Sequence, residues 1–282
     1  MTPTEEALVL THACVPEQIV SLMCLISRGD AFLMEDYLGF AGNNWLIVVG
    51  YPLQQPFSAE QCGRVVEQAV QNRRPAVLRF IGPEIPPVLQ GKCTERQSDR
   101  YYLLDIERTP PKPSLLKTVD KAGQSLTVER GQIFSREHER LVAEFLSKTE
   151  MAPMVRSLYL AMPRYVGHSP TAWTLNARNK EGGLCAFFVV DLGAASFSTF
   201  LLGARSPKHD EPHASDLLFR EMIRLTHESG KRVINLGLGV HAGIRRFKEK
   251  WGGRPALPYE FCECRYPKTG GVSLWSALLD RL

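Results

Sequence analysis

Residues 214–253 read ASDLLFREMIRLTHESGKRVINLGLGVHAGIRRFKEKWGG, and three secondary-structure elements follow one another within them. Apolar residues recur at helical spacing in the first third, and Gly230 stands where a glycine commonly ends a helix. The next segment, 232–238, is apolar and partly β-branched, and it predicts a strand. A second, shorter helix is predicted over 242–251. The stretch therefore predicts a helix, a strand and a helix in close succession.

The same order of elements occurs twice in the chain. A strand, a polar loop, an amphipathic helix and a strand are predicted at 45–81 and again at 197–238. The residue identities are not repeated, so the repeat is one of pattern only. A helix that connects two strands of one sheet implies that the strands are parallel, whereas the strands predicted at 171–178, 184–190 and 197–204 form an antiparallel meander. The pattern predicts α/β units, each with a mixed central sheet flanked by helices.

The clearest linker is Thr109–Pro113, TPPKP. A chain of 282 residues has room for two domains of ordinary size. We therefore expect a first domain over 1–112 and a second over 113–282, which closes with a short apolar helix. The hydrophobic content of 44% and charged content of 23% are those of a soluble globular protein.

Several features predict a cytoplasmic protein without metal or membrane span. No secretory signal is apparent at the start, and the apolar run 185–204 contains Asp191 in a turn, which favours two strands over a membrane helix. Seven cysteines without a CxxC pair predict reduced thiols. Cys262 and Cys264 share one face of a strand, but no partners stand at metal-binding spacing, so we expect no metal site. The net charge of +4 is dispersed and does not by itself indicate nucleic-acid binding.

The stretch 214–253 resembles the C-terminal halves of the Fem-type peptidoglycan aminoacyltransferases and the domain that ends lysyl-phosphatidylglycerol synthases. The shared pattern is a helix that ends in Ser229–Gly230, a strand that ends in N-L-G at 235–237, and a short helix with F-K-x-x-W-G at 247–252. Close similarity is confined to these forty residues. The resemblance implies two tandem N-acetyltransferase-like (GNAT-like) domains. It also implies transfer of an acyl or aminoacyl group to an amine, whether in a small molecule, a peptide or a lipid.

One loop departs from the acetyl-CoA-dependent members of that superfamily. Those members carry a glycine-rich loop whose N–H groups bind pyrophosphate before the helix. Here the loop is RSPKHDEPHASD, 205–216, with no glycine and with three acids, Asp210, Glu211 and Asp216, that would repel phosphate. The departure suits the Fem-type group, which takes its acyl group from aminoacyl-tRNA, but it does not exclude acyl-CoA. The acyl donor is thus expected as a co-substrate, with tRNA as a possible partner.

The resemblance also implies where transfer takes place. In GNAT-like folds two neighbouring parallel strands diverge, and the exposed backbone N–H groups hold the donor and stabilise an oxyanion. In this chain those strands are 197–204 and 232–238, which places the reaction near Leu202, Gly203 and Asn235. The alternative role of Asn235 is that of a turn residue before the following glycine.

Lys248 matches the lysine of the F-K motif, which is proposed to stabilise negative charge on the donor or the intermediate. The alternative is a solvated lysine in a basic run. Arg245 and Arg246 could contact a phosphate-bearing donor or belong to a solvated helix face. Phe247 and Trp251 share a helix face and are expected in the core or in the wall of a donor pocket.

Amine acylation needs a base, because only the neutral amine attacks. Asp191, Glu260, Glu263 and His241 are candidates, and the sequence does not choose among them. A non-catalytic ligand-binding protein that retains the fold therefore stays open as an alternative function.

Overall fold

The structure, a computed structural model, describes residues 1–151 and 153–267. The helix predicted at the end of the chain lies outside the described residues. The helices are α1 (Pro3–His12), α2 (Val20–Ser27), α3 (Ala59–Arg73), α4 (Pro113–Ala122), α5 (Arg136–Lys148), α6 (Pro153–His168), α7 (Ala214–Glu228) and α8 (Ala242–Lys250). The strands are β1 (Asp30–Met34), β2 (Tyr37–Ala41), β3 (Trp45–Val49), β4 (Val77–Gly82), β5 (Glu95–Asp105), β6 (Thr127–Gly131), β7 (Ala172–Arg178), β8 (Leu184–Asp191), β9 (Phe197–Arg205), β10 (Val233–Leu238) and β11 (Arg254–Arg265). None of the helices within these ranges is long and apolar enough to cross a membrane.

All these strands belong to one mixed sheet, in the order β1-β2-β3-β4-β11-β5-β10-β9-β8-β7-β6. The late strand β11 lies between two early strands and pairs antiparallel with both, with Phe261 opposite Ile81 of β4 and Gln97 of β5. Strand β5 in turn pairs with β10. The sheet is therefore continuous from the first repeat to the second through β11 and β5.

The predicted repeat is confirmed. β3, α3 and β4 form one unit and β9, α7 and β10 form the other, and the two strands of each unit are parallel. The antiparallel meander β7–β8–β9 is also present. α7 covers one face of the sheet with buried apolar residues and ends at Gly230, whose φ of 74° is the left-handed conformation that glycine adopts without strain. Helices α2, α5 and α6 cover the opposite face beside β8 and β9.

The first forty residues differ from the sequence prediction. One helix is predicted over 15–27, but extended backbone at Ile19 separates a 3-10 turn, Pro16–Gln18, from α2. The hairpin of β1 and β2 is not predicted, because no glycine marks its turn. Glu35 takes the left-handed turn conformation there instead, with a φ of 51°. Helix α6 was also not predicted, since Pro163 inside it is ordinarily a helix breaker.

The cysteines require a correction. Cys93 and Cys262 form a disulfide across 169 residues, so the expectation of seven reduced thiols is wrong for these two. Cys264 Sγ lies 3.5 Å from Cys262 Sγ, and the three sulfur atoms form one cluster. The insertion of β11 beside β5 brings Cys93 to this position, and no sequence spacing indicates that contact.

Candidate functional site

The parallel strands β9 and β10 diverge, as the resemblance to GNAT-like folds implies for this pair. They pair from Val233↔Phe197 to Asn235↔Thr199, and the pairing ends there although both strands continue. Beyond that level β9 has a bulge against β8, and β10 has an irregularity against β5. We call the gap between residues 200–205 of β9 and 236–238 of β10 the β9–β10 opening. The N–H and C=O groups that border it have no ladder partner across the gap.

The first repeat has no such opening at the same place. β3 and β4 pair over five positions, from Trp45↔Val77 to Val49↔Ile81. The Phe80 ring fills the space beyond, since a Cβ on Gly50 or Gly82 would lie 2.3 Å or 2.6 Å from its Cζ atom. Within the described part of the chain, the second repeat has this opening between its parallel strands and the first repeat does not.

Asn235 and Thr199 face each other at the last paired level. Both are buried, and Asn235 Nδ2 and Thr199 Oγ1 have no hydrogen-bond partner among the residues that the structure describes. Asn235 Oδ1 accepts from the Gly237 N–H at 2.9 Å, so the predicted turn role is present as well. Leaving a buried polar group unpaired costs about 1–3 kcal/mol, and such groups in a native fold point to a missing ligand or solvent partner.

Lys248 also lies on the β10 side of the opening and is only 4% exposed. Its Nζ donates to the Leu238 carbonyl at 2.6 Å and lies 5.6 Å from the centre of the Tyr102 ring. Burial lowers the pKa of Lys248 to about 8, against an opposing effect of Asp99. The lysine is thus directed to the end of β10 and not into bulk water.

The aromatic residues of the motif anchor α8 to α7. Trp251 stacks on Phe219 at 4.8 Å, and its Nε1 donates to Asp216 Oδ1 at 3.0 Å. The Phe247 ring meets the Phe219 ring edge-on, with 5.6 Å between the ring centres. These contacts are those of a core, which hold Lys248 in place.

The remaining predicted residues occupy different positions. Arg245 and Arg246 are exposed on α8. Leu202 is buried on the other arm of the opening, and Gly203 beside it accepts a hydrogen bond from the Tyr159 hydroxyl at 3.0 Å. The structure thus places Leu202 and Gly203 on the β9 side of the opening and Asn235 and Lys248 on the β10 side, and it does not bring Arg245, Arg246, Phe247 and Trp251 to the opening.

Two of the three acids in the loop before α7 are paired within the protein. Asp210 pairs with Arg205, and Asp216 pairs with Lys250. Burial acts to raise the pKa of Asp216, but the hydrogen bonds from Lys250, His213 and Trp251 outweigh it and hold the pKa below its usual value. The loop is therefore less repulsive to phosphate than its acid count indicates.

Comparison with solved structures identifies the fold. L-PGS from Bacillus licheniformis superposes with a TM-score of 0.61 at 16% identity, over 100% of this chain and 96% of that one. FemX superposes with a TM-score of 0.64 at 11% identity, over 92% of this chain and 96% of FemX. A tandem GNAT protein from the clavulanic acid biosynthesis pathway superposes with a TM-score of 0.52 at 13% identity, over 93% of this chain and 95% of that one. The chain has the tandem GNAT fold. Neither a protein-family model nor a curated protein matches its sequence.

Within this tandem GNAT fold, all four candidate bases have structural contacts. Asp191 accepts from Tyr165, Thr171 and the Gly193 N–H; Glu260 pairs with Arg96, Glu263 pairs with Arg79, and His241 caps α8. Asp191 also lies opposite Thr199 on the neighbouring strand β8, so its backbone adjoins the last paired level of β9 and β10.

Sequence reasoning missed an acid that the tandem GNAT fold places beside Tyr101, the β5 residue that pairs with Leu238 of β10. Glu17, in the 3-10 turn, accepts a 2.7 Å hydrogen bond from the Tyr101 hydroxyl at its Oε2. Burial raises the pKa of Glu17, and the bond from Tyr101 partly opposes that rise. No local signal indicates this pair, because its members lie 84 residues apart.

Proposed function

We propose that this protein transfers an acyl or aminoacyl group from an activated donor to an amine, at the β9–β10 opening. The observation that carries the proposal is the divergence of two parallel strands directly beside a buried lysine. The fold shared with L-PGS and FemX supports transferase chemistry in general and does not select the donor or the acceptor.

The geometry suits stabilisation of a developing oxyanion. Asn235 Nδ2 is an unpaired donor at the base of the opening, and the strand edges supply backbone N–H groups. One preorganised donor of this kind contributes about 3 kcal/mol to the transition state. A lysine ammonium has three protons, so Lys248 can keep its bond to Leu238 and still donate to a bound anion.

The loop before α7 favours aminoacyl-tRNA over acyl-CoA as the donor. It contains no glycine between Arg205 and Asp216, so it lacks the flexible N–H cradle that pyrophosphate requires. The exposed Arg245 and Arg246 stand next to Lys248 and can meet the phosphates of an acceptor stem. Acyl-CoA is the second donor to test.

We further propose a division of labour between 1–112 and 113–282. The second part holds the transfer site, and the first binds the acceptor or supports the structure. The closed β3–β4 pair and the Phe80 ring support this assignment, because the first repeat offers no equivalent opening.

Donor binding and transfer test the proposal. The full chain is titrated with a panel of aminoacyl-tRNAs and with acetyl-CoA in a calorimeter, and product amides are followed by mass spectrometry. We expect saturable binding of one donor, weakened at least tenfold by Lys248→Ala and unchanged by Lys117→Ala, an exposed lysine on α4. Absence of binding by every donor would reject transfer and favour a non-catalytic binding protein.

A further inference from the structure

Glu17 and Asn235 lie on the same face of the sheet. On β5, Tyr101 pairs with Leu238 and Leu103 pairs with Asn235. Side chains two apart on a strand share a face. The residues between them, Tyr102 on β5 and the neighbours of Asn235 on β10, pack in the core beneath α7. Tyr101, the hydrogen-bond partner of Glu17, therefore lies with Asn235 on the face away from α7.

The segment before α2 follows the diverging strands along that face. Ala13 packs against Phe197 and Val233, where β9 and β10 begin, and its carbonyl accepts from the Ser196 hydroxyl at 3.1 Å. Four residues later, Glu17 meets Tyr101, which stands level with Leu238 beyond the last parallel pair. The segment thus extends from the closed end of the strand pair to Tyr101, and it places the Glu17 carboxylate at the Tyr101 hydroxyl on the face that Asn235 shares.

The unpaired atoms indicate a polar ligand on this face. Ser198 bonds to Thr226 of α7, so its neighbour Thr199 points the other way, as Asn235 does. Thr199 Oγ1 and Asn235 Nδ2 are both buried and without partner. A hydroxyl can accept from an amine, and an amide N–H can donate to a carbonyl oxygen. The pair therefore fits an amine and an acyl group that meet at the opening.

We propose that a primary amine acceptor binds on this face and that Glu17 is the base that takes its proton, with Tyr101 as a positioning residue. This inference rests on the proposed function. The amine nitrogen attacks the donor carbonyl carbon and forms the C–N bond, and one amine proton passes to the Glu17 carboxylate. The C–O bond of the aminoacyl ester, or the C–S bond of a thioester, breaks with its electron pair. The leaving group takes up a proton, and Glu17 returns to its carboxylate by releasing one.

The surroundings of Glu17 suit this role. Tyr101 occupies Oε2, which leaves Oε1 to receive the proton. Tyr101 is itself held edge-on by Tyr51 and Tyr259, at 6.1 Å and 5.6 Å between ring centres. A base works best when its pKa lies near the operating pH, and burial moves the pKa of Glu17 in that direction. Lys248, held by α8 under the opposite face, is positioned to act on the donor.

A binding experiment tests the amine site without any donor. Ethanolamine is titrated into the full chain while the Asn235 side-chain amide is followed by NMR. We expect a saturable shift of that signal, lost in Glu17→Gln and retained in Glu67→Gln, an exposed carboxylate on α3. No shift in the natural chain, or an equal shift and affinity in Glu17→Gln, would overturn the proposal.

Transfer kinetics separate this inference from the proposed function. With a donor that the natural chain uses, Glu17→Gln should lower the rate at saturating donor by about 10²–10⁴-fold and leave donor affinity unchanged.

Tyr101→Phe should move the acid limb of the pH–rate profile to higher pH, because the lost bond had lowered the pKa of Glu17. Tyr165→Phe, which removes an equal 2.7 Å bond to Asp191, should leave the acid limb in place. Full activity of Glu17→Gln would refute the base and leave the transferase proposal standing. If no donor is used, the ethanolamine titration alone decides on the amine site.

Discussion

At the scale of single residues, Lys248 is held in a position that costs stability. Its ammonium is almost fully buried, and the main compensation within the protein is one bond to the Leu238 carbonyl. Charged groups in such positions are retained for what they do to a ligand and not for the folding free energy. Asn235 Nδ2 and Thr199 Oγ1 are likewise buried, and neither has a hydrogen-bond partner within 1–151 and 153–267. These three positions are the residue-scale basis for the proposed binding site.

We expect Lys248→Met to raise the free energy of unfolding at pH 7 by about 2 kcal/mol. A pKa lowered from 10.5 to about 8 corresponds to about 3 kcal/mol of lost stability, and the broken bond to Leu238 returns about 1 kcal/mol. Below pH 8 the lysine is protonated in both the folded and the unfolded chain, so the natural protein is destabilised by the full amount. Between pH 8 and 10.5 the folded lysine is neutral while the unfolded lysine is still protonated, and this destabilisation is lost as the pH rises. Urea denaturation at pH 7 and pH 10 measures the difference. Equal stabilisation by Lys248→Met at pH 7 and at pH 10 would contradict a buried ammonium at Lys248.

At the scale of elements, Gly237 shapes the end of β10. Its φ of 71° is left-handed, and its N–H is held by the Asn235 side chain. A Cβ at this position would contact only the Phe200 carbonyl oxygen, at 3.9 Å. Glycine is therefore favoured here by the left-handed backbone conformation and not by a lack of space. The left-handed residue stands two positions after Asn235, where the pairing of β10 with β9 ends.

Gly237→Ala should lower the free energy of unfolding by about 1 kcal/mol and also impair transfer. Gly230→Ala is the matched control, because Gly230 has a φ of 74° at the end of α7, and a Cβ added there would have no atom within 4 Å. Thermal unfolding should show an equal loss of stability in the two variants. The single-turnover transfer rate should fall only in Gly237→Ala. Equal activity in both would show that the turn does not shape the site.

At the scale of the whole molecule, β11 unites the two repeats. It leaves the second repeat after α8, fills the space between β4 and β5, and carries the cysteine that bonds to Cys93. The strand that follows the Lys248 helix is thus a central strand of the sheet beside the first repeat. Folding of the first repeat should depend on the end of the second.

A chain that stops after Gly253 tests this dependence. Its β4 and β5 would have unpaired edges in the middle of the sheet, so we expect loss of cooperative unfolding in the first repeat as well as the second. Hydrogen exchange of the amides of β3 and β4, compared with the full chain, measures it. Native protection of those amides in the shortened chain would show that the first repeat folds without β11.

Local periodicity was sufficient for the β–α–β repeat, the meander and the end of α7 at Gly230, because each depends on burial and conformation within a few neighbouring residues. The hairpin of β1 and β2 and the helix with Pro163 were not predictable in this way, since tertiary contacts overrule the local preference of Glu35 and of the proline. The N-L-G and F-K-x-x-W-G motifs pointed to Asn235 and Lys248, and nothing local pointed to Glu17.

The sequence by itself determined the elements of the two β–α–β units and of the meander, their parallel and antiparallel order, and the motif around Lys248. Only the tertiary structure decided that β11 joins the first repeat, that Cys93 meets Cys262, and that Glu17 meets Tyr101 on the far face of the sheet. Partners 84 and 169 residues apart are selected by the free energy of the whole sheet, which no window of neighbouring residues contains.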